Sequence, residues 1–159
     1  MPHLGAAYNL ARWLVRNPDD AEDLVQEAML RAVRFFGGYR GGDARAWLLA
    51  IVRNSCFTWL AANRPAEAVG FEDGAVELLP SEEDGPEIQA ARNFDRRMLN
   101  DAIAALPAHF REVVILRELE DLSYKDIARV ADVPIGTVMS RLARARGLLA
   151  ESLRAGATV

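Results

Sequence analysis

The chain has 159 residues, of which 51% are hydrophobic, and a formal net charge of −4, so it is long enough for one domain or for two small ones. No apolar run approaches the roughly 20 residues that a membrane span requires. Arg12 and Arg16 interrupt the stretch where a signal peptide needs its apolar segment. These features predict neither membrane insertion nor secretion.

Cysteine and histidine are too sparse to indicate a disulfide or a metal site. Cys56 is the only cysteine, which fits a reducing compartment and predicts a cytoplasmic protein. His3 and His109 are far apart in the sequence, and no phosphate-binding glycine loop or nucleophile motif accompanies them. We therefore expect no metal, no cofactor and no catalytic residue.

Charge divides the sequence into three segments. Residues 65–91 contain eight acidic residues and no basic one, whereas residues 1–64 (eight basic, six acidic) and 92–159 (eleven basic, nine acidic) each carry +2. Prolines and glycines recur through the acidic segment and argue against regular structure there. The pattern predicts two small domains joined by a flexible acidic linker, which is either a solvated tether or a functional polyanion.

The first segment begins with two predicted helices. A helix over 6–16 ends before Pro18, because proline disfavours helical backbone in the residue that precedes it. Asp19 is the expected N-cap of a second helix over 20–36, since Glu22 three residues later completes a capping box.

Further helices follow along the rest of the chain. Glycines between residues 37 and 42 separate the second helix from a third, predicted over 44–62. Two more are predicted over about 87–105 and 108–120. Sustained strand-like alternation is absent, and the expected fold class is all-α.

A helix-turn-helix is predicted near the C-terminus. Ser123 is the expected N-cap of a short helix, with Asp126 at the capping-box position. That helix ends at Asp132, a residue type that tolerates the left-handed conformation. The following helix, 137–149, has two faces on a helical wheel. Its apolar face comprises Val138, Leu142, Ala145 and Leu149. A separate polar stripe comprises Thr137, Ser140, Arg141 and Arg144.

A helix with one apolar face and one basic, hydroxyl-bearing face suits the recognition helix of a helix-turn-helix, which lies in the DNA major groove. Arginine bonds guanine in a bidentate manner, and Thr or Ser hydroxyls bond phosphates or bases. An ordinary amphipathic surface helix with solvated arginines is the alternative reading of the same pattern.

Two long stretches resemble sigma factors of the extracytoplasmic function (ECF) group. Region two of that family is similar to "NPDDAEDLVQEAMLRAVRFFGGYRGGDARAWLLAIVRN", and its C-terminal DNA-binding region, region four, is similar to "LPAHFREVVILRELEDLSYKDIARVADVPIGTVMSRLARAR". The resemblance implies a sigma factor that directs promoter-specific transcription initiation, with region two in 1–64 and region four in 92–159. The implied partners are core RNA polymerase, promoter DNA and an anti-sigma factor.

The resemblance also implies roles for three sets of residues. Binding of core polymerase is implied for Asp23, Gln26, Glu27, Leu30 and Arg31. Recognition of the minus-10 element is implied for Arg53, Asn54, Phe57 and Thr58. Recognition of the minus-35 element is implied for Thr137, Ser140, Arg141, Arg144 and Arg146.

Met139 departs from the family pattern, since many relatives carry Lys or Arg there, and one DNA contact is expected to be missing. Tyr39 is a further candidate for stacking on a captured base, whereas Trp47 and Trp59 are expected in the core.

Two other functions compete with this interpretation. A sigma mimic would bind an anti-sigma factor without binding DNA. Such a protein would not require the basic DNA-binding face formed by Ser140, Arg141 and Arg144. A stand-alone helix-turn-helix repressor would pair two half-sites as a dimer, and no spare dimerisation helix is evident. An enzyme is the remotest alternative.

Overall fold

The computed structural model describes residues 3–39, 43–68 and 96–157, and within these ranges the chain is helical and contains no strand. The all-α prediction is confirmed for this part of the chain. The first half forms α1 (Leu4–Val15), α2 (Pro18–Arg34), a 3₁₀ turn (Phe36–Gly38), α3 (Ala44–Asn63) and α4 (Pro65–Ala68). The second half forms α5 (Arg96–Ala104), α6 (Ala108–Val114), a π-helical turn (Ile115–Leu119), α7 (Tyr124–Ala131) and α8 (Ile135–Ala157).

None of the described helices combines the length and the apolar character needed to cross a membrane.

The N-cap of α2 is Asn17, and the prediction of Asp19 is wrong. The Asn17 side-chain oxygen accepts hydrogen bonds from the amides of Asp19 and Asp20 at 2.9 and 3.1 Å. Pro18 occupies the first helical position, where a missing N–H costs nothing and the fixed φ suits a helix. The helix therefore starts two residues earlier than the predicted Asp20.

The predicted signals around α7 are confirmed. The Ser123 hydroxyl accepts a hydrogen bond from the Asp126 amide at 3.1 Å, and Asp132 ends the helix in the left-handed conformation with φ 57°. The helix predicted over 108–120 also forms, but its last turn, Ile115–Leu119, is π-helical.

The acidic segment falls mostly outside the described residues. Its first four residues form α4, so they are helical and not part of an irregular linker; Pro65 again stands at a helix start. Residues 69–91 of the predicted linker lie outside the described ranges. The same is true of residues 87–95 of the helix predicted over 87–105, of which 96–104 is observed as α5.

One buried apolar cluster runs through both halves. Helix α1 packs against α6, and α3 packs along α7, the first helix of the helix-turn-helix. Polar contacts also cross between the halves: Asn9 Nδ2 donates to Glu120 Oε1 at 2.9 Å, and Arg45 Nη1 donates to the Glu120 carbonyl at 3.1 Å. The two predicted domains therefore lie packed together in the described part of the chain.

Candidate functional site

Helix α2 presents a mixed charged and apolar face to solvent. Its inward face is apolar, as the spacing predicted, and includes Leu24 and Ala28. On the outer face, Leu30 is 71% exposed and Val33 is 73% exposed. Every residue of the predicted polymerase-binding set is exposed on this helix: Asp23, Gln26, Glu27, Leu30 and Arg31. Large apolar side chains that remain in water on an ordered helix are typical of an interaction surface.

An aromatic cluster lies beside the end of this face. Phe36 stacks on Tyr39 with 5.9 Å between ring centroids, and Tyr39 packs on Trp47 at 5.3 Å. These rings line a cavity of about 360 Å³ whose walls are almost entirely apolar. Trp47 is half-buried and packs against the core, in line with its predicted place, and Tyr39 packs against it.

Helix α8 places the predicted minus-35 residues around its N-terminal half. Val138, Leu142 and Ala145 are buried, so the predicted apolar face is confirmed and packs the helix against its own half of the chain. Arg144 is exposed. Thr137 and Ser140 are half-buried, and the Ser140 hydroxyl donates to the Thr137 carbonyl at 3.1 Å. The polar stripe therefore exists, although its members differ in accessibility.

Two arginines of this set are held against the protein. Arg141 is only 8% exposed, which the wheel did not indicate. Arg146 Nη2 donates to Glu118 Oε1 at 3.1 Å. Burial opposes the charge on Arg146, but its hydrogen bonds to Glu118 and Tyr124 outweigh this effect and raise its pKa. Among the arginines of the set, Arg144 is the one that faces solvent.

Helix α3 carries the four predicted minus-10 residues on two different surfaces. Asn54 and Thr58 are exposed, and the Thr58 hydroxyl donates to the Asn54 carbonyl at 2.9 Å. Arg53 and Phe57 are largely covered by the second half of the chain. The structure therefore brings the four residues onto one helix but leaves only two of them open to solvent.

The contact that covers Arg53 is an ion pair with Glu112 in α6. Arg53 Nε donates to Glu112 Oε1 at 2.5 Å, and Arg53 Nη2 lies 3.5 Å from Oε2. Glu112 is 0% exposed. Burial raises the pKa of the Glu112 carboxyl, and the adjacent Arg53 opposes that rise. A buried carboxylate requires such a partner, because an unpaired charge in an apolar environment is costly.

Phe57 is covered in the same way by His109. The two rings stack with 4.7 Å between centroids, and the Arg53 guanidinium lies 4.2 Å from the centroid of the Phe57 ring. Cys56, the neighbour of Phe57 in sequence, is fully buried. Burial raises the pKa of the Cys56 thiol to about 12, with a further contribution from the Glu112 charge.

Sequence reasoning missed Glu112 and His109 as partners of the candidate site. The only available signal was a carboxylate inside the apolar stretch "HFREVVIL", since a buried charge requires a partner. Nothing local identifies that partner as Arg53, which lies 59 residues away.

No group of three or more His, Cys, Asp or Glu side chains with metal-binding geometry occurs within residues 3–39, 43–68 and 96–157.

Both halves of the chain match known families. Residues 1–65 match the family described as Sigma-70 region 2, and residues 96–149 match Sigma-70, region 4. The two matches stand in the order that the resemblance implied.

Similar proteins extend over most of the chain. The ECF RNA polymerase sigma-E factor of Haemophilus influenzae is 36% identical, with 91% of this chain and 79% of that protein covered. The RNA polymerase sigma-H factor of Pseudomonas aeruginosa is also 36% identical, over 88% of this chain and 76% of the relative.

The fold is similar to that of a solved sigma factor. The Bartonella quintana sigma factor RpoE, in a co-crystal structure with the anti-sigma factor NepR, matches with a TM-score of 0.72 and 29% sequence identity, over 96% of this chain and 92% of that one. Together with the paired region matches and the 36% identity to relatives covered over more than three quarters of their length, this likeness shows that the chain belongs to the ECF group of RNA polymerase sigma factors.

Proposed function

We propose that this sigma factor acts as a dissociable subunit that joins core polymerase through one helix and reads promoter DNA through two others. Region two is assigned to residues 1–64, the acidic linker to 65–91 and region four to 92–159. The polymerase performs the chemistry, so the chain itself is not an enzyme and needs no cofactor. Its place of action is the cytoplasm, alongside the polymerase.

The exposed face of α2 carries the proposal for polymerase binding. Leu30 is 71% exposed, and Glu27 and Arg31, which pair at 2.9 Å, lie on the same helix. Burying such a leucine in a partner removes apolar area from water. The surrounding charges of Asp23 and Glu27 favour one orientation of the partner and speed its encounter.

Minus-35 recognition is assigned first to Arg144, with Thr137 and Ser140 beside it. The exposure of Arg144 supports a base contact, because a free guanidinium reaches guanine in the major groove. The side chains of Arg141 and Arg146 are held against the protein and must move before they can reach DNA. We therefore assign them contacts that form only when DNA binds.

Minus-10 recognition is assigned to α3. Asn54 and Thr58 are accessible from solvent and supply polar groups for a captured base. Arg53 and Phe57 supply a cation and a stacking ring, as single-stranded DNA requires, once region four no longer covers them.

An anti-sigma factor is proposed as a further partner. The support is that the similar RpoE chain was solved in complex with the anti-sigma factor NepR.

Run-off transcription on a promoter library tests the function. Core RNA polymerase is incubated with or without the chain on templates randomised at the upstream and downstream elements, each template carrying a transcribed barcode, and the barcodes in the transcripts are sequenced. We expect chain-dependent transcripts whose templates share two sequence elements. A chain that yields no chain-dependent transcripts yet binds an anti-sigma factor is a mimic. A chain that selects one palindromic site without polymerase is a repressor.

A further inference from the structure

The N-terminal half of α8 carries an exposed apolar strip that consists of Ile135, Met139 and Ala143. These residues follow one another at intervals of four and therefore lie on the same side of the helix. Ile135 is 45% exposed and Met139 is 50% exposed, whereas Val138 and Leu142 on the packed face are buried. The apolar strip is thus an outward surface and is separate from the side chains that hold the helix in place.

The apolar strip borders the residues that are assigned to the minus-35 element. Ser140 follows Met139 directly and Arg144 follows Ala143 directly, so each polar side chain stands about 100° further around the helix. Between Met139 and Arg144 lie only small residues, and the space beside Gly136 is open. When this part of a recognition helix meets base edges in the major groove, Met139 and Arg144 therefore reach them from the two sides of one face.

The chemistry of methionine limits what Met139 can contact on DNA. Its thioether carries no charge and donates no hydrogen bond, so it neither neutralises a phosphate nor binds a base acceptor. The apolar group that base pairs present in the major groove is the 5-methyl group of thymine. A flexible and polarisable side chain adapts readily to such a contact. Thymine is therefore the base whose edge matches an exposed methionine at this position.

We propose that Met139 is a specificity-determining residue of α8, which selects a thymine in the minus-35 element through apolar contact with its 5-methyl group. Ile135 and Ala143 extend the apolar surface along the helix on either side of Met139. This inference deepens the proposed function and rests on the reading of the minus-35 element by α8. The selection comes from a methyl group and not from a hydrogen bond, which gives it a distinct chemical test.

Replacement of thymine by deoxyuridine provides that test, because it removes the 5-methyl group and keeps every hydrogen-bonding group of the base. The full chain is bound to core polymerase, and the promoter is one selected by run-off transcription. Each thymine of the minus-35 element, on either strand, is replaced in turn, and competition against the labelled original promoter measures the affinity. At one position we expect deoxyuridine to weaken binding about fourfold, as removal of one buried methyl group does.

Variants of the chain assign this sensitivity to a side chain. Met139→Ala should bind the original promoter at least about fourfold more weakly and should no longer distinguish thymine from deoxyuridine at that position. Met139→Leu keeps an apolar side chain and should retain the distinction. Leu119→Ala is the matched control, because Leu119 is also 50% exposed but lies in the π-helical turn, outside α8. Both Leu119→Ala and Arg144→Ala should retain the full response to deoxyuridine.

Several results would overturn the inference and leave minus-35 reading by α8 intact. One is a deoxyuridine effect that persists in Met139→Ala. Another is an unmodified chain that responds to deoxyuridine at no position, or a selected element without any thymine. A loss of affinity of Met139→Ala for core polymerase itself would assign the apolar strip to a protein contact and would also overturn the inference. Selection of no upstream element at all would instead overturn the proposed function, and the inference with it.

Discussion

Arg111 in α6 donates a hydrogen bond across the molecule to the main-chain carbonyl of Leu14, in the last turn of α1, at 2.9 Å. The same guanidinium donates to the carbonyl of Leu106 at 2.7 Å. The side chain is buried, and burial lowers its pKa to about 10, so it stays charged at neutral pH. Helix C-termini present unpaired carbonyls and partial negative charge. An arginine of region four thus satisfies one carbonyl at the end of the first helix of region two, and Arg64 donates to the next one, that of Val15, at 2.8 Å.

We expect Arg111→Met to lower the free energy of unfolding by about 3 kcal/mol, because it leaves buried carbonyls without their charged donor. Urea denaturation measures the change. Arg12→Met, which removes an exposed arginine from α1, should change stability by less than about 0.5 kcal/mol. Equal effects of the two substitutions would contradict a structural role for Arg111.

Cys56 should react slowly with thiol reagents in the native chain. Burial raises its pKa from 9.0 to about 12, so the reactive thiolate at pH 8 is about 1,000-fold scarcer than in an unfolded chain. Raising the pH should increase the rate, since a higher pH favours the thiolate. Iodoacetamide labelling in buffer and in urea measures the difference, and similar rates in both would show that the thiol is accessible.

Leu30→Asp should weaken binding to core polymerase. It places a charge in the middle of the exposed face of α2, where a buried apolar contact is proposed, and a loss of at least about tenfold in affinity is expected. Competition against the labelled unmodified chain measures it. Leu4→Asp changes another exposed leucine, on α1, and should have no effect. A comparable loss for both variants would place the polymerase contact elsewhere.

Arg144→Ala should cost about 1–3 kcal/mol at one position of the minus-35 element if the guanidinium contacts a base. Binding to promoters randomised at each position measures the loss. Arg154→Ala, further along α8, is the control and should not alter sequence preference. Losses of the same size on every promoter would instead assign Arg144 to a phosphate.

Asn54→Ala should leave polymerase binding intact but impair opening of the minus-10 element. The reason is that Asn54 is exposed on α3 and offers both a donor and an acceptor to a displaced base. A template with a premelted bubble should partly restore transcription. Asn63→Ala, at the far end of the same helix, is the matched control. Failure of the bubble template to restore activity would mean that the opening role is wrong or that capture of the displaced base dominates the effect.

Local patterns predicted both ends of α7, whereas α8 (Ile135–Ala157) is longer than the predicted 137–149. The Ser123 side chain caps the start of α7 through the Asp126 amide, and Asp132 ends the helix in the left-handed conformation, as predicted. Both signals are local, because a helix cap depends on hydrogen bonds within a few residues. The start of α2 was missed although it is equally local. Pro18 was interpreted as a helix terminator, yet the same ring is favourable at the first helical position.

The sequence by itself predicted most of the described helices, the inward faces of α2 and α8, and the family to which the chain belongs, since these depend on residues three or four positions apart or on whole-segment similarity. Only the tertiary structure decided that Arg53 meets Glu112, that Phe57 meets His109 and that Arg141 is buried. A helical wheel gives the direction of a side chain around its own axis. Which distant helix fills that direction depends on how the helices pack to remove their apolar faces from water, and that packing joins residues far apart in the chain.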